Sequence, residues 1–180
     1  MPKVAAIVLA AGEASRFGAP KQRLLLPTVL DRLRQSPVDE IVVVEGAYKL
    51  ELPSNSLLQG IPTRLVECRE WDRGPGASLR CGLDVLADDV AVAVAVVVLA
   101  DGPNLSPEAV KRVLDAWSRD EGITSASYDG ERGHPLAIGR ADWIGIPDEG
   151  LRDRPVRLVP CDDFGSPGDV DRPEDLPLLN

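Results

Sequence analysis

An unbroken apolar run is the feature of this sequence that most constrains its fold. Residues 94–99 read Val-Ala-Val-Val-Val-Leu, with no polar residue among them. Such a run is typical of a strand buried on both faces, since a strand with one face in water alternates apolar and polar residues. The run therefore predicts a mainly parallel sheet covered by helices on both sides, which is a three-layer α/β/α fold.

Other segments supply the remaining elements of this fold. Strands are predicted at 4–9, 41–44, 64–67, 92–100, 123–127 and 156–159, and helices at 28–35, 77–86 and 107–119. The third helix has the clearest start, with Ser106 as N-cap, Pro107 at its first position and Glu108 near its positive end. Ligands of such sheets bind beyond the carboxyl ends of the strands, so we look for functional residues there.

Chain length and net charge limit the classes of protein to which this sequence can belong. The chain has 180 residues, which suits one domain spanning 1–180. The formal net charge of -9 repels polyanions and argues against a nucleic acid partner. No apolar stretch approaches the ~18 residues of a membrane span, and the start lacks the features of a signal peptide, so we expect a cytoplasmic protein.

The cysteines give no sign of a metal site or of a disulfide framework. Cys68, Cys81 and Cys161 are odd in number, far apart and without a C-x-x-C spacing. We therefore expect all three to be reduced thiols.

A loop rich in small residues follows the first predicted strand. Residues 8–21 read Val-Leu-Ala-Ala-Gly-Glu-Ala-Ser-Arg-Phe-Gly-Ala-Pro-Lys. Small residues let backbone N–H groups approach phosphate oxygens, while Arg16 offers a planar fork and Lys21 a mobile point charge. The composition suits a triphosphate. An ordinary strand-to-helix turn with two exposed cations is the alternative.

Acidic residues follow a buried strand and recur near residue 170. Asp101 comes directly after the strand at 92–100 and before a Gly-Pro turn, where its carboxylate can reach Mg²⁺ or can simply cap the turn. Asp169 and Asp171 lie two residues apart on an extended segment and face the same way, either to chelate or as solvated charges. Glu174 and Asp175 suit the first turn of a terminal helix.

The loop 9–21 resembles the L-A-A-G-x-x-x-R-[FM]-G-x-x-K motif of MobA-like nucleotidyltransferases, in the branch that contains molybdenum cofactor cytidylyltransferase. Further motifs extend the resemblance over nearly the whole chain. The resemblance implies a Rossmann-like sheet of the nucleotide-diphospho-sugar transferase type. It also implies that Leu9, Ala10, Ala11 and Gly12 wrap a nucleoside triphosphate, with Arg16 and Lys21 on its phosphates.

The same resemblance assigns roles to later motifs. Asp101 stands in a segment similar to L-A-D-Q-P, with Gly102 in place of Gln, and Asp171 stands in one similar to D-[IV]-D-T-P-E-D-L. Both carboxylates are thereby expected to bind Mg²⁺, with Asp169 as a weaker candidate. The stretch 71–83 resembles W-x-x-G-x-x-[SA]-S-L-R-x-G-L, which closes over the base and ribose. The candidates there are Gly74, Gly76, Ser78 and Arg80; this segment can equally be a plain helix start, with Arg80 paired to a surface acid.

The acceptor side carries the chain's single histidine. His134, in a segment similar to R-x-G-H-P, is expected to bind the acceptor. Residues 148–152 look like a remnant of a D-E-G-A-R run. Compared with the family, the first helix and this region both look shortened.

The expected reaction is attack by the terminal phosphate of molybdopterin on the α-phosphate of a nucleoside triphosphate, releasing pyrophosphate. Lys21, Arg16 and Asp101 are the catalytic candidates, and the Ala10-Ala11-Gly12 form favours CTP. A transient contact with a molybdoenzyme that takes the product is a further expectation. The alternatives are transfer to another phosphorylated acceptor, such as a sugar phosphate or phospholactate, and a non-catalytic nucleotide-binding module.

Overall fold

One seven-stranded sheet forms the centre of the computed structural model within the residues that it describes, 2–13, 21–53 and 60–176. The strands are β1 (Lys3–Ala10), β2 (Glu40–Glu45), β3 (Thr63–Glu67), β4 (Val92–Leu99), β5 (Ile123–Tyr128), β6 (Glu131–Gly139) and β7 (Arg157–Pro160). Their order across the sheet is β3-β2-β1-β4-β6-β5-β7, and only β6 runs antiparallel to its neighbours. The mainly parallel sheet predicted from the sequence is confirmed.

Helices cover both faces of this sheet. They are α1 (Lys21–Arg34), α2 (Pro75–Asp84) and α3 (Pro107–Arg119). Val8 packs in one core cluster with Leu30 of α1 and Val113 of α3, whereas its neighbour Ile7 packs in a second cluster with Leu79 of α2. Successive residues of a strand point to opposite faces, so α1 and α3 form one outer layer and α2 the other. The three-layer α/β/α fold is confirmed.

The third helix starts as the sequence predicts. The Ser106 hydroxyl accepts a hydrogen bond from the Ala109 N–H at 3.3 Å, and Pro107 occupies the first turn. None of the helices in the described ranges has the length and apolar character that crossing a bilayer requires.

The first helix is longer than the sequence predicts. α1 begins at Lys21 rather than at residue 28 and contains Pro27 in its interior, so the predicted start of this helix is wrong. Proline interrupts the helical hydrogen bonds, which is why the pattern seemed to begin after it. Leu25 and Leu26 nevertheless lie on the same buried face as Val29, because the apolar spacing of three to four residues continues across Pro27.

The strand β6 is absent from the sequence prediction. It contains Gly133 and Pro135, which are depleted in strands, so the sequence pattern gives no strand signal there. The strand forms a hairpin with β5 and also pairs with β4. It thereby carries His134 to the region beyond the end of β4.

Two cysteines form a disulfide, so the expectation of three reduced thiols is wrong for this pair. Cys68 follows β3 directly, and Cys81 lies on α2, which packs against β1, β2 and β3. Their Cα atoms lie 5.8 Å apart, within the range that a disulfide spans. The two cysteines are far apart in sequence and come together only because α2 packs against the sheet, so the sequence did not indicate the pairing. Cys161 is a buried free thiol, as expected.

The acidic segment near residue 175 forms a single 3₁₀ turn, Pro173–Asp175, instead of the expected start of a terminal helix. The Asp175 carboxylate accepts a hydrogen bond from the Arg172 N–H at 2.9 Å. Glu174 and Asp175 do lie in the first turn, where acids are favoured, and the segment from residue 177 onward lies outside the described residues.

Candidate active site

A long trough crosses the molecule at the carboxyl ends of β1 and β4. It consists of three clefts, which we name front, middle and rear, with volumes of about 340, 470 and 270 Å³. Leu99, the last residue of β4, lines all three. The front and middle clefts also share Leu9 and Pro75, and the middle and rear clefts share Arg132 and His134. The clefts are therefore neighbouring parts of one continuous site.

The front cleft collects most of the residues that were expected to hold a nucleotide. Its lining includes Leu9, Ala11, Gly12, Gly74, Ser78 and Asp101. Ala10 does not line it, because as the last residue of β1 its side chain is buried in the core. Arg16, a candidate for the phosphates, lies outside the described residues.

Lys21 lies at the centre of an acidic cluster formed by segments that are remote in sequence. Its ammonium nitrogen is 3.1 Å from an Asp101 carboxylate oxygen, 3.6 Å from one of Asp171 and 4.0 Å from one of Asp169. Lys21 also donates a hydrogen bond to the Val170 carbonyl. The structure thus brings together four residues that the sequence marked separately.

Backbone contacts hold the segment 167–171 beside Asp101. The Val170 N–H donates to the Asp101 carbonyl at 3.2 Å, and the Asn104 N–H donates to the Pro167 carbonyl at 2.9 Å. A side chain at Gly102 would place its Cβ 3.0 Å from that of Pro167. The absence of a side chain at residue 102 therefore suits the close approach of this segment.

The three carboxylates of the cluster outnumber the one ammonium. The pKa of Asp169 lies above its ordinary value, because burial and the negative charges of Asp101 and Asp171 disfavour its ionised form. The charge of Lys21 opposes this shift. The cluster therefore has an unbalanced negative charge that a bound cation can neutralise.

The donors suit a divalent cation that also binds a ligand. Among the described residues, no three His, Cys, Asp or Glu side chains are arranged to hold a metal ion by themselves. Asp101 and Asp171, however, both direct oxygen atoms to the same ammonium, so their carboxylates face a common point. A hard cation such as Mg²⁺ commonly combines one or two carboxylates with phosphate oxygens and water.

Of the candidate glycine and serine residues around the start of α2, some line the front cleft and one makes only structural contacts. Gly74 and Ser78 line the front cleft. Gly76 does not, because its N–H donates to the Asp148 carbonyl at 2.8 Å and a Cβ there would lie 1.7 Å from the Pro147 carbonyl oxygen. Gly76 is thus a packing position for the loop around residue 148.

Arg80 also makes structural contacts, as in the alternative in which it pairs with a surface acid. It donates to the Ile146 carbonyl at 2.6 Å and to the Asp148 carboxylate at 2.5 Å. Arg73 donates to the same carboxylate, and the hydrogen bond from Arg80 is the largest cause that holds the pKa of Asp148 below its ordinary value. These contacts fix the loop that forms one wall of the middle cleft.

His134, which the resemblance predicts to bind the acceptor, lines both the middle and the rear cleft. Burial and the positive charge of Arg132 lower its pKa to about 4, and the charge of Asp101 acts in the opposite direction. The imidazole is therefore neutral near pH 7 and can accept a hydrogen bond on one ring nitrogen and donate from the other.

Sequence reasoning missed three contributors to the site. The Gln22 amide donates to the Gly12 carbonyl at 2.9 Å and so ties the loop after β1 to α1. Arg132 lines two clefts, and Asp148 fastens the wall of the middle cleft. Arg132 lies in the motif segment around His134, and Asp148 begins the stretch 148–152. Their positions in these two motifs were the only sequence signal that they belong to the site.

Comparisons with known proteins identify the family and the fold. The family model described as the MobA-like NTP transferase domain matches residues 6–160. A comparison with curated proteins gave no match. The solved structure of the Rv0371c homolog from Mycobacterium sp. strain JC1 is 26% identical, with 96% of this chain and 92% of that chain covered and a TM-score of 0.72.

Two further solved structures share the fold. Rv0371c from Mycobacterium tuberculosis H37Rv, in complex with manganese, is 24% identical over 88% of each chain, with a TM-score of 0.63. The Methanothermobacter nucleotidyl transferase Mth528 is 20% identical, covering 96% of this chain and 94% of that chain, with a TM-score of 0.67.

The family match and the site geometry lead to one assignment. The matched span of 6–160 includes Lys21 on α1, Asp101 just after β4 and His134 on β6. The sheet has the fold found in the nucleotidyltransferase structures. The chain belongs to the MobA-like NTP transferase family and is a nucleotidyltransferase.

Proposed function

We propose that the protein transfers CMP from CTP to the terminal phosphate of molybdopterin, in a reaction that depends on Mg²⁺ and releases pyrophosphate. The observation that carries this proposal is the cluster of Lys21, Asp101 and Asp171, which meets the front cleft at Asp101. The rear cleft reaches the same cluster through Asp169. The front and middle clefts share Leu9, Pro75 and Leu99, so a donor and an acceptor can occupy adjoining clefts beside this cluster.

The front cleft suits the nucleotide. Ala11 and Gly12 leave room for phosphate oxygens beside the backbone, and Gly74 and Ser78 lie across the cleft on the side of α2. Lys21 would neutralise charge on the triphosphate, and we keep Arg16 as a second phosphate contact. The preference for CTP rests on the Ala10-Ala11-Gly12 form of the loop, which resembles the cytidylyltransferase branch.

Asp101 and Asp171 would hold the metal, with Asp169 as an additional candidate. When bound, Mg²⁺ supplies Lewis-acid polarisation of the α-phosphate and a template for the incoming oxygen. An oxygen of the acceptor phosphate forms the new bond to the α-phosphorus, and the bond to the β-phosphate oxygen breaks. The electron pair leaves with pyrophosphate, so a phosphate dianion requires no proton transfer.

The middle cleft favours a planar acceptor over a sugar phosphate. Its apolar lining consists of Leu9, Leu79, Val97, Leu99, Leu136 and Leu151, with Pro75 beside them. A flat heterocycle can pack against these side chains, whereas a sugar would leave many hydroxyl groups without hydrogen-bond partners. Glu149 and Arg152 at the same cleft can contact the polar edge of such a ring.

The proposal includes a setting for the reaction. We propose that residues 1–180 act as one nucleotidyltransferase domain in the cytoplasm. The product would pass to a molybdoenzyme in a transient contact. We expect no nucleic acid partner, because the net charge of -9 opposes polyanions.

The direct test measures pyrophosphate release with Mg²⁺, using CTP, GTP, ATP and UTP in turn, with molybdopterin in its metal-free and molybdenum-loaded forms. Release with CTP and molybdopterin supports the proposal. Release only with another triphosphate or acceptor moves the substrate within the nucleotidyltransferase class. Omission of Mg²⁺, with EDTA present, should abolish the signal, and addition of Mg²⁺ should restore it.

A further inference from the structure

Arg132 is a cation on the acceptor side of the trough. It belongs to β6 and lines both the middle and the rear cleft. One of its nitrogens donates to the Leu151 carbonyl at 2.8 Å, which fixes the guanidinium relative to the wall of the middle cleft. Burial lowers the pKa of Arg132 from its ordinary value, so its charge has lost part of its hydration.

Its charge is not balanced by a neighbouring acid. Arg80 and Arg73 share Asp148, and Arg112 pairs with Asp163. In the described part of the chain, the guanidinium of Arg132 forms no such ion pair. A partly buried guanidinium with only a carbonyl partner retains free N–H donors, which are well suited to phosphate or carboxylate oxygens.

The surroundings of Arg132 decide where an anion can bind. Glu131 and Asp169 line the rear cleft and repel an anion there, whereas Arg152 in the middle cleft attracts it and Glu149 opposes this attraction. The two clefts meet at Leu99, Arg132, Gly133 and His134. That junction is therefore the place where the charge of Arg132 is least offset.

We propose that Arg132 binds the phosphate of the acceptor at this junction, and that the substrate class is a phosphate monoester with a planar, largely apolar ring in the middle cleft. The identification of the anion as the acceptor's phosphate rests on the proposed function. Neutral His134 lies beside the bound phosphate as a hydrogen-bonding partner. Its pKa responds to the charges of both Arg132 and Asp101, so the junction lies within electrostatic reach of the acidic cluster.

The test uses binding without turnover. His134 is the only histidine of the chain, so its ring protons give one resolved set of ¹H NMR signals next to the proposed site. Phenyl phosphate serves as the probe and phenol as its uncharged counterpart, with neither nucleotide nor metal present. We expect phenyl phosphate to shift the His134 signals in a saturable way and phenol to leave them unchanged.

Variants identify the residue that binds the anion. Arg132→Met should weaken phenyl phosphate binding about 10- to 100-fold, the range expected for one charge-assisted contact. Arg132→Lys, which keeps the charge but loses the fork, should fall between it and the wild type. Arg154→Met is the matched control, because Arg154 also donates to backbone carbonyls but lines none of the three clefts. It should bind the probe like the wild type.

Two results would overturn the inference. One is unchanged affinity for phenyl phosphate in Arg132→Met; the other is failure of the probe to bind the wild-type protein. A folded Arg132→Met protein is recognised by a wild-type far-UV circular dichroism spectrum. Steady-state kinetics add a separate readout, in which the variant raises KM for the acceptor and leaves KM for the nucleotide unchanged.

The experiments can separate a failure of the Arg132 site from a failure of the proposed reaction. If no acceptor supports pyrophosphate release but phenyl phosphate still requires Arg132, the reaction is wrong and the anion site stands. If molybdopterin is a substrate and Arg132→Met leaves both binding and acceptor KM unchanged, the reaction stands and the role of Arg132 is wrong.

Discussion

Asp101 lies two residues beyond the end of the buried strand β4, which holds its carboxylate 3.1 Å from the ammonium of Lys21. Asp101→Asn preserves the shape of this side chain and removes its charge. Loss of one preorganised electrostatic contact costs about 3–4 kcal/mol in the transition state, so we expect kcat to fall about 100- to 1,000-fold. Pyrophosphate release under saturating substrate measures the effect.

The control for that substitution is Asp115→Asn. Asp115 pairs with Lys111 at 2.6 Å on α3, exposed to solvent and outside the clefts, so its loss should leave kcat unchanged. A wild-type turnover number for Asp101→Asn would remove Asp101 from the catalytic group.

His134 makes stability depend on pH. Its pKa is about 4 in the folded protein, because burial and Arg132 disfavour the imidazolium ion, and about 6.5 in an unfolded chain. Between these values the unfolded chain binds the proton and the folded protein does not. The free energy of unfolding should therefore decline as pH falls from about 6.5 towards 4, by at most about 1.4 kcal/mol per pH unit from this residue.

Urea unfolding at pH 7 and pH 5 tests this dependence. The wild-type protein should lose more stability over this interval than His134→Gln, which has no imidazole to protonate. Carboxylates that titrate in the same range affect both proteins alike. Equal losses in the two proteins would show that His134 is not held neutral.

At the scale of elements, the disulfide joins α2 to the end of β3. Cys68 and Cys81 are 13 residues apart, and closing a loop of about 15 residues stabilises a fold by about 3 kcal/mol in the chain-entropy model. We expect Cys81→Ala to lower the free energy of unfolding by roughly this amount, as measured by urea unfolding without reductant.

Reductant provides the matched comparison. It should destabilise the wild-type protein and leave Cys81→Ala unchanged, since the variant has no disulfide to lose. Cys161→Ala removes a buried free thiol and should keep the sensitivity to reductant. A wild-type protein that is equally stable with and without reductant would contradict the predicted contribution.

Pro27 lies in the interior of α1 and is exposed to solvent. A proline there lacks the N–H that a helix uses and costs up to about 3 kcal/mol, part of which is returned because proline also restricts the unfolded chain. Pro27→Ala should therefore raise the free energy of unfolding, by about 1–2 kcal/mol. Urea unfolding measures the gain, with the neighbouring Thr28→Ala as a control that changes no backbone donor. A loss of stability would show that α1 depends on the proline.

Strands and helices were predictable from sequence where every residue of the element favours the same secondary structure, and were missed or misplaced elsewhere. β4 is apolar throughout, and α3 has Ser106 and Pro107 at its start, so both appear close to where they were expected. The first turns of α1 and the whole of β6 contain proline or glycine, whose local preferences are outweighed by burial and by pairing with neighbouring strands. Local patterns cannot reveal such long-range contributions.

At the scale of the whole molecule, the individual residues of the candidate site were predictable from sequence, whereas their proximity was not. The sequence pointed separately to Lys21, Asp101 and Asp171, and their catalytic and metal-binding roles remain predictions. Their proximity follows from the parallel arrangement of β1 and β4, which brings the carboxyl ends of both strands to one edge. The role proposed for Arg132 depends on β6, so it could not be inferred from a sequence prediction that lacks this strand.

The segment 167–171 also has a consequence for the order of folding. Among the described residues it pairs with no strand, and it is held by Lys21, by the Asp101 backbone and by the packing of Val170 on Leu25 of α1. Each of these partners becomes available only after the sheet and α1 have come together. During refolding, the circular dichroism of the sheet should therefore recover before a fluorescent CTP analogue can bind. Simultaneous recovery would mean that this segment takes part in the folding nucleus, so the order of the two signals reports when a folded chain becomes an enzyme.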